Sequence, residues 1–321
     1  MGKIVVTGAA GFIGSCLAHH LFRNVSKSLI LVDDFSKSEK SNNLLGLENC
    51  SQIDRSEFLG QLAQLDIDFI FHLGARTDTT EFDTAIFDQL NLNYSKTIWQ
   101  YCTEQNVPLI YASSAATYGD GTLGFDDNVA SMNHLKPLNP YGQSKLDFDL
   151  WAVKQTEKPP FWIGLKFFNV FGPNEYHKTR MASVVFHAYH QIQATGKMKL
   201  FQSHNPEYSD GGQTRDFIYV KDLIEVMLFW YERKTGSGIY NLGTGTPRTF
   251  NDLAHATFSA LGLKPNIEYI PTPEDIRDKY QYYTKAEMAR TLQQGYQKGF
   301  TQLEDAISDY VKFYLQQDAY F

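Results

Sequence analysis

Short apolar runs alternate with amphipathic stretches through the first half of the chain. Residues 3–7, 28–33, 68–73 and 107–113 are nearly continuous apolar runs of strand length, the pattern of strands buried on both faces. Between them, residues 12–23, 55–65 and 81–104 carry apolar positions at helical spacing. A helix over 141–158 and a strand over 161–167 continue the alternation. This order predicts parallel strands joined by helical crossovers, hence an α/β fold with a doubly wound sheet.

After residue 171 the texture changes. Gly172-Pro173-Asn174 interrupts the pattern, a helix follows near 182–195, and a polar, Gly-rich loop spans 202–214. Residues 217–220 and 238–241 read as strands returning to the sheet. The remainder, punctuated by Pro265, Pro271 and Pro273, predicts a smaller mixed α+β lobe ending in a helix over 302–316. No internal repeat or low-complexity tract is visible.

Composition narrows the partners. The 321 residues carry a formal net charge of −7, which disfavours nucleic acid. The apolar stretch 161–171 is interrupted by Lys166 and is too short to span a bilayer. Cys16, Cys50 and Cys102 are odd in number and far apart, so they suggest neither a metal site nor disulfides. A first strand beginning at residue 3 leaves no room for a signal peptide, and the expected location is cytoplasmic.

The chemistry begins at Gly8-Ala9-Ala10-Gly11-Phe12-Ile13-Gly14, which follows the first strand and opens the first helix. Glycines there permit a tight turn, close approach of a pyrophosphate to the backbone and close helix–strand packing, with the helix N-terminus favouring the anion. In this context the motif predicts a Rossmann-type dinucleotide site, with Phe12 and Ile13 lining it. Asp33 ends the second strand 19 residues after Gly14, where an acid holds ribose hydroxyls and suggests NAD. Asp34 adjoins it. Lys37, Lys40 and Arg55 are near in sequence and could offset repulsion of a 2′-phosphate, leaving NADP and NAD both open; Lys37 alone reads as a solvated loop residue. The turn Leu73-Gly74-Ala75-Arg76-Thr77 ends another strand and should touch the cofactor. Asn91 faces the same crevice or makes a structural hydrogen bond.

Ser114 ends the strand 107–113, and Tyr141-Gly142-Gln143-Ser144-Lys145 opens the next helix. Positions i and i+4 share a helical face, so phenol and ammonium point the same way. A phenol titrates near 10; an adjacent cation would favour its phenolate, a base for a sugar hydroxyl held also by Ser114.

These residues resemble the extended short-chain dehydrogenase/reductases. The match narrows through Tyr111-Ala112-Ser113-Ser114-Ala115-Ala116-Thr117-Tyr118-Gly119, Pro137-Leu138-Asn139-Pro140-Tyr141, Phe168-Asn169-Val170-Phe171-Gly172-Pro173, His177-Lys178, Met181-Ala182-Ser183 and Tyr240-Asn241-Leu242-Gly243-Thr244-Gly245. Together they are similar to the ADP-L-glycero-D-manno-heptose 6-epimerase family, end to end. The resemblance implies an isomerase that uses NADP to oxidise and re-reduce C6″ of ADP-D-glycero- or ADP-L-glycero-β-D-manno-heptose, for the lipopolysaccharide inner core. It implies Tyr141 and Lys178 as two acid/base positions, with Lys145 supporting the cofactor ribose; alone, Lys178 would read as a cation pairing with diphosphate. It places Val170 and Lys178 near the cofactor. Asn169, Arg180, His187, Arg215, Tyr280 and the run Phe201-Gln202-Ser203-His204 fall near the sugar nucleotide. His187 also reads as an ordinary structural histidine. The resemblance further implies a homo-oligomer, a pentamer, and no metal.

Two features depart from the family: Arg180 stands where a small residue is usual, and the loop 205–214 is longer. Alternatives are another nucleotide-sugar epimerase or dehydratase, or a non-catalytic NADP-binding protein. Dehydratases commonly carry Asp-Glu where this chain has Ala115-Ala116, and non-catalytic relatives tend to lose the Tyr or Lys that this chain keeps. The expected division is a cofactor-binding domain of residues 1–170 with about 215–246, and a substrate lobe of about 171–214 with 247–321.

Overall fold

The computed structural model describes residues 2–277 and 281–321. Its centre is a seven-stranded parallel sheet. In chain order it contains β1 (Lys3–Thr7), β2 (Leu29–Asp33), β3 (Ser51–Asp54), β4 (Ile67–His72), β5 (Leu109–Ser114) and β6 (Trp162–Phe167), then a strand supplied from further on, Gly238–Leu242. The spatial order from one edge is Gly238–Leu242, β6, β5, β4, β1, β2, β3. The order reverses at β1 and β4, so their carboxyl ends frame a crevice, where ligands of such sheets bind.

The helices are α1 (Phe12–Asn24), α2 (Arg55–Gln61), α3 (Thr84–Phe87), α4 (Tyr94–Glu104) and α5 (Pro140–Lys154). The predicted helix 81–104 is real from Thr84 onward, but a π turn over Asp88–Asn93 widens it. The helix expected to reach 158 stops at Lys154, ahead of Pro159 and Pro160, because residues before proline avoid the helical region. β3 had no apolar run to reveal it: it is an edge strand, and its burial pattern is exposed then half-buried.

Beyond β6 the chain forms β7 (Asn169–Phe171), α6 (Val184–Thr195), β8 (Met198–Phe201), β9 (Thr214–Arg215), β10 (Phe217–Tyr219), α7 (Val220–Arg233), β11 (the Gly238–Leu242 strand), β12 (Arg248–Thr249), α8 (Phe250–Ala260) and β13 (Ile267–Ile270). β11 joins the main sheet as expected. β10 does not: it pairs with β7 in a separate two-stranded parallel ribbon. After Phe167 the chain breaks from the sheet at Phe168, and β7 and β10 leave it together. β8 pairs with β13, and β9 with β12. A helix at Leu303–Tyr310 and a π turn over Val311–Leu315 replace the single helix expected over 302–316.

The three cysteines are buried and unpaired. Among the described residues no helix is long and apolar enough to cross a membrane. None of their His, Cys, Asp and Glu side chains cluster in threes as a metal site would require.

Candidate active site

A cleft of about 710 Å³ opens at the carboxyl ends of the central strands. Its floor is the turn between β1 and α1. Gly8 has φ +70°, and a Cβ there would meet Gly74 Cα at 2.8 Å, so the β1 and β4 turns approach as only glycines allow. A Cβ on Gly14 would lie 2.0 Å from the Gly8 carbonyl oxygen. Gly11 caps α1, whose first turn holds no acidic residue, so its unpaired N–H groups face the cleft without a competing anion. This cradle fits the pyrophosphate of a dinucleotide. Gly8, Gly11, Phe12, Ile13 and Gly14 all line it.

Asp33 closes one end. One carboxylate oxygen accepts the Ala10 N–H at 2.9 Å; the other accepts the Asp34 N–H at 2.7 Å and the Lys40 ammonium at 2.9 Å. Arg55 reaches Asp34 at 3.1 Å. Lys37 also lines the cleft, although the sequence favoured a purely solvated role. The opposite wall, Leu73 to Thr77, is pinned by Thr7: its hydroxyl accepts the Gly74 N–H at 3.0 Å and meets His72 Nδ1 at 2.7 Å. Asn91 does not line the cleft. Its carboxamide accepts the Arg76 N–H at 2.7 Å and donates to the Arg76 carbonyl and to Ser144, so it braces the wall from behind. Of the two readings open in the sequence, the structural hydrogen bond is the one observed.

Ser114, Tyr141 and Lys145 all line the cleft. Ser114 ends β5, and its Oγ accepts the Ala116 N–H at 3.1 Å. Asn139 caps α5 through Gly142 N–H at 2.8 Å and Pro140 occupies the first turn, which starts the helix so that Tyr141 and Lys145 share the cleft face. Lys145 is 6% exposed and donates to the Ala112 carbonyl at 2.8 Å. Burial pushes its ammonium down to about 8, with Asp149 opposing. Burial raises the Tyr141 phenol, and the Ser114 hydroxyl opposes that rise. The expectation that Lys145 lowers the phenol is therefore not met in the chain alone: burial dominates, and the relief comes from Ser114.

Lys178 lines the same cleft, on a 3₁₀ turn at Tyr176–Met181. Its ammonium lies 5.6 Å from the centre of the Phe12 ring, over the start of α1. Burial lowers its affinity for a proton, with Glu175 opposing. The next residue, Thr179, has φ +45°, a strained conformation for a β-branched side chain. Glu175, itself 1% exposed, grips Ser183 at the start of α6 through Oγ at 2.7 Å. Asn174 ties this segment to α1 and to the turn that follows β2: its amide donates to Ser15 Oγ at 2.9 Å, and its carbonyl accepts from Asn43 at 3.0 Å. The Pro173 carbonyl accepts the Cys16 thiol at 3.4 Å.

Other expected positions divide. Asn169 and Val170 on β7 line the cleft, as does Arg180, which is exposed and pairs with Asp78 at 3.5 Å across the mouth. His187 lies on α6 outside the cleft lining, its Nε2 3.4 Å from the Arg180 carbonyl. Phe201, Gln202, Ser203, His204 and Arg215 form a separate group around β8 and β9. There Ser203 N–H donates to Asp210 at 2.7 Å, and the Arg215 guanidinium lies 5.5 Å from the Phe250 ring. Tyr280 lies outside the described residues. Sequence reasoning missed Asp78 and a buried pair beneath Lys145, Asp149 with Lys166. A lysine inside an apolar strand was the available signal for the second.

Residues 4–243 match the NAD dependent epimerase/dehydratase family. The chain is 46% identical over 315 residues to ADP-L-glycero-D-manno-heptose-6-epimerase of Nitratidesulfovibrio vulgaris, covering 97% of each chain. It is 44% identical over 330 residues to the protein of the same name from Fusobacterium nucleatum, covering 99% of each. The crystal structure of Helicobacter pylori ADP-L-glycero-D-manno-heptose-6-epimerase superposes with a TM-score of 0.81 at 29% identity, covering 97% of this chain and 96% of that one. With its Rossmann-type sheet, glycine cradle and Tyr141–Lys145 face, the chain is an epimerase that belongs to the NAD dependent epimerase/dehydratase family, in its ADP-L-glycero-D-manno-heptose-6-epimerase branch.

Proposed function

We propose that this enzyme interconverts ADP-D-glycero- and ADP-L-glycero-β-D-manno-heptose by transient oxidation at C6″, serving lipopolysaccharide inner-core synthesis in the cytoplasm. One observation carries the reading: Tyr141, Ser114 and Lys145 share a single cleft with Lys178, which comes from the other lobe. Inverting a carbinol centre through a ketone requires proton exchange with two orientations of the sugar. Two acid/base groups on different walls meet that need.

A bound nicotinamide supplies reversible hydride exchange. The chain's own residues do the rest. Tyr141, hydrogen-bonded through Ser114, takes or returns the C6″ hydroxyl proton in one orientation. Lys178 serves the other; partial burial brings it nearer to exchanging a proton at neutral pH. Lys145 holds the cofactor ribose and contributes positive charge beside the phenol. Arg180 and Asn169 contact the sugar nucleotide at the mouth, and Arg215 grips its diphosphate. Phe201 to His204, with His187 and Tyr280, complete the nucleotide side. The division of labour follows the chain: residues 1–170 with about 215–246 hold the cofactor, and about 171–214 with 247–321 hold the substrate.

The cofactor is NADP in preference to NAD. Lys40 neutralises Asp33, Arg55 neutralises Asp34, and Lys37 adds a further cation at that end, so a 2′-phosphate meets cations rather than bare carboxylates. The enzyme is a homo-oligomer, a pentamer by the family resemblance, which light scattering tests. The decisive experiment incubates the protein with ADP-D-glycero-heptose and follows C6″ inversion by NMR. Unchanged substrate under conditions where UDP-sugars react overturns the substrate assignment. A Tyr141→Phe, Lys178→Met double variant that still epimerises overturns the two-base mechanism.

A further inference from the structure

Lys166 on β6 and Asp149 on α5 form an ion pair at 3.0 Å with neither side chain exposed. Burying two charges is costly, and well-packed apolar residues often serve stability as well or better. Neither side chain lines the cleft. Both are instead the hub of a hydrogen-bond network around the reactive group. Asp149 accepts the Tyr111 hydroxyl at 3.0 Å and the Ser113 hydroxyl at 2.6 Å. Lys166 donates to Thr117 Oγ1 at 2.6 Å, and the Thr117 hydroxyl donates in turn to the Ser114 carbonyl at 2.8 Å.

Each of these links reaches a segment that bears a reacting group. Ser113 precedes Ser114 and stands in register with Lys166 across the β5–β6 pair. Asp149 lies one helical turn after Lys145. Ala112, whose carbonyl takes the Lys145 ammonium, is on the same β5 strand end.

We propose that the Lys166–Asp149 pair is a positioning device for the reaction, fixing the Ser114 strand end against the Tyr141–Lys145 face of α5 and supplying the counter-charge of Lys145. The proposal rests on the roles given above to Tyr141 and Lys145.

The charged and titratable groups around Lys145 and its partner Asp149 come from four elements. β5 contributes Tyr111, whose hydroxyl donates to Asp149 and whose phenol burial holds well above its ordinary range. α5 contributes Tyr141 and Asp149. β4 contributes His72, which burial pulls down to about 3, so it is neutral at working pH. β6 contributes Lys166, beyond Asp149. Burial already draws Lys145 down to about 8, and Asp149 is the group that opposes it. Without that carboxylate, Lys145 sheds its proton nearer neutrality, and the uncharged amine loses the charged hydrogen bond to the Ala112 carbonyl that ties α5 to the Ser114 strand end.

The test is the titration of the Lys145 ¹⁵Nζ resonance in the full chain without cofactor, assigned by its loss in Lys145→Arg, beside the pH profile of epimerisation. Asp149→Asn keeps the shape and removes the charge. Its Lys145 midpoint falls below that of the wild type. A fall of about two units leaves roughly a tenth of the ammonium charged at pH 7. At that pH kcat then drops about tenfold with KM within about twofold, and activity recovers at lower pH. Asp149→Glu restores both readouts. Where Asp149→Asn fails to fold because Lys166 is left unpaired, the Asp149→Asn, Lys166→Met variant removes both charges and still lowers the midpoint. An unchanged Lys145 midpoint in either folded variant overturns the proposal. A midpoint that moves in a chain with no heptose turnover supports the positioning role and rejects the substrate reading instead.

Discussion

The same chemical change, glycine to alanine, is expected to have opposite effects at two helical positions. In Gly14→Ala the new methyl would lie 2.0 Å from the Gly8 carbonyl oxygen, 2.7 Å from the Gly8 carbonyl carbon and 3.2 Å from Ala9 Cα, all backbone atoms. Ordinary contact begins at 3.4 Å, so α1 and the turn must separate by about 1.4 Å. α1 has nowhere to go, because Cys16, Leu17, Ala18 and Leu21 are fully buried behind it. Overpacking of this kind costs about 3 kcal/mol. With an unfolding entropy of about 0.7 kcal/mol/K for a chain of this length, Tm falls by about 4–5 °C. The displaced turn is also the pyrophosphate cradle, so cofactor binding weakens in addition to the loss of stability. Gly60→Ala, in α2, meets nothing within 4 Å and gains about 0.5–1 kcal/mol of helix propensity, raising Tm by about 1 °C. Thermal melts with and without saturating NADP read both effects, since cofactor stabilises in proportion to its affinity. A Gly14→Ala protein with the wild-type Tm and the wild-type cofactor-induced rise would refute the steric argument.

The other expectations follow from the site. Tyr141→Phe and Lys178→Met should each lower epimerisation by about 10²-fold or more while cofactor-induced stabilisation persists; NMR of the heptose and thermal melts separate the two readouts. Thr179→Gly should relieve about 1 kcal/mol of strain and raise Tm, while turnover falls because Lys178 loses its fixed approach. Lys40→Ala should weaken NADP more than NAD, read by calorimetric titration of each; equal losses would remove Lys40 from the 2′-phosphate. His72 is 3% exposed and its folded value is about 3, below its ordinary 6.5. The unfolded chain therefore takes up a proton first, so stability is flat above about pH 7 and falls as pH drops from 6.5 toward 3. A Tm that holds constant from pH 7 to pH 4 would contradict this.

The central sheet was legible because strands buried on both faces are nearly continuous apolar runs, as Leu29 to Val32 of β2 are. β3 was not, because an edge strand has no such obligation, and its Ser51 and Gln52 are exposed. The path of β10 away from the sheet was illegible for another reason: Phe217, Ile218 and Tyr219 form a buried apolar run, which says that the segment is a strand but not which partner it pairs with. In the site, Tyr141 and Lys145 are four residues apart and declare themselves by periodicity. Lys178 does not, since it shares the cleft with Tyr141 only through the later course of the chain, and it was reached through family resemblance alone. The behaviour of the Tyr141 phenol could not be read from the spacing of charges, because burial, which no local pattern reports, outweighs them.

Asn174 bonds to Ser15, 159 residues away in the chain, while Asn43 bonds back to its carbonyl. The segment that carries Lys178 is thus fastened to the first helix and to the turn beside Asp33, in addition to the Glu175–Ser183 bonds within the segment itself. Two consequences concern time rather than geometry. During folding this closure must bring together residues 159 positions apart, so the segment that bears Lys178 is expected to dock after the local βαβ elements have formed. In the finished protein a dinucleotide that stiffens α1 is expected to stiffen residues 173–183 through these bonds, and slower amide exchange there on cofactor loading, before any sugar is added, is the measurement that checks it.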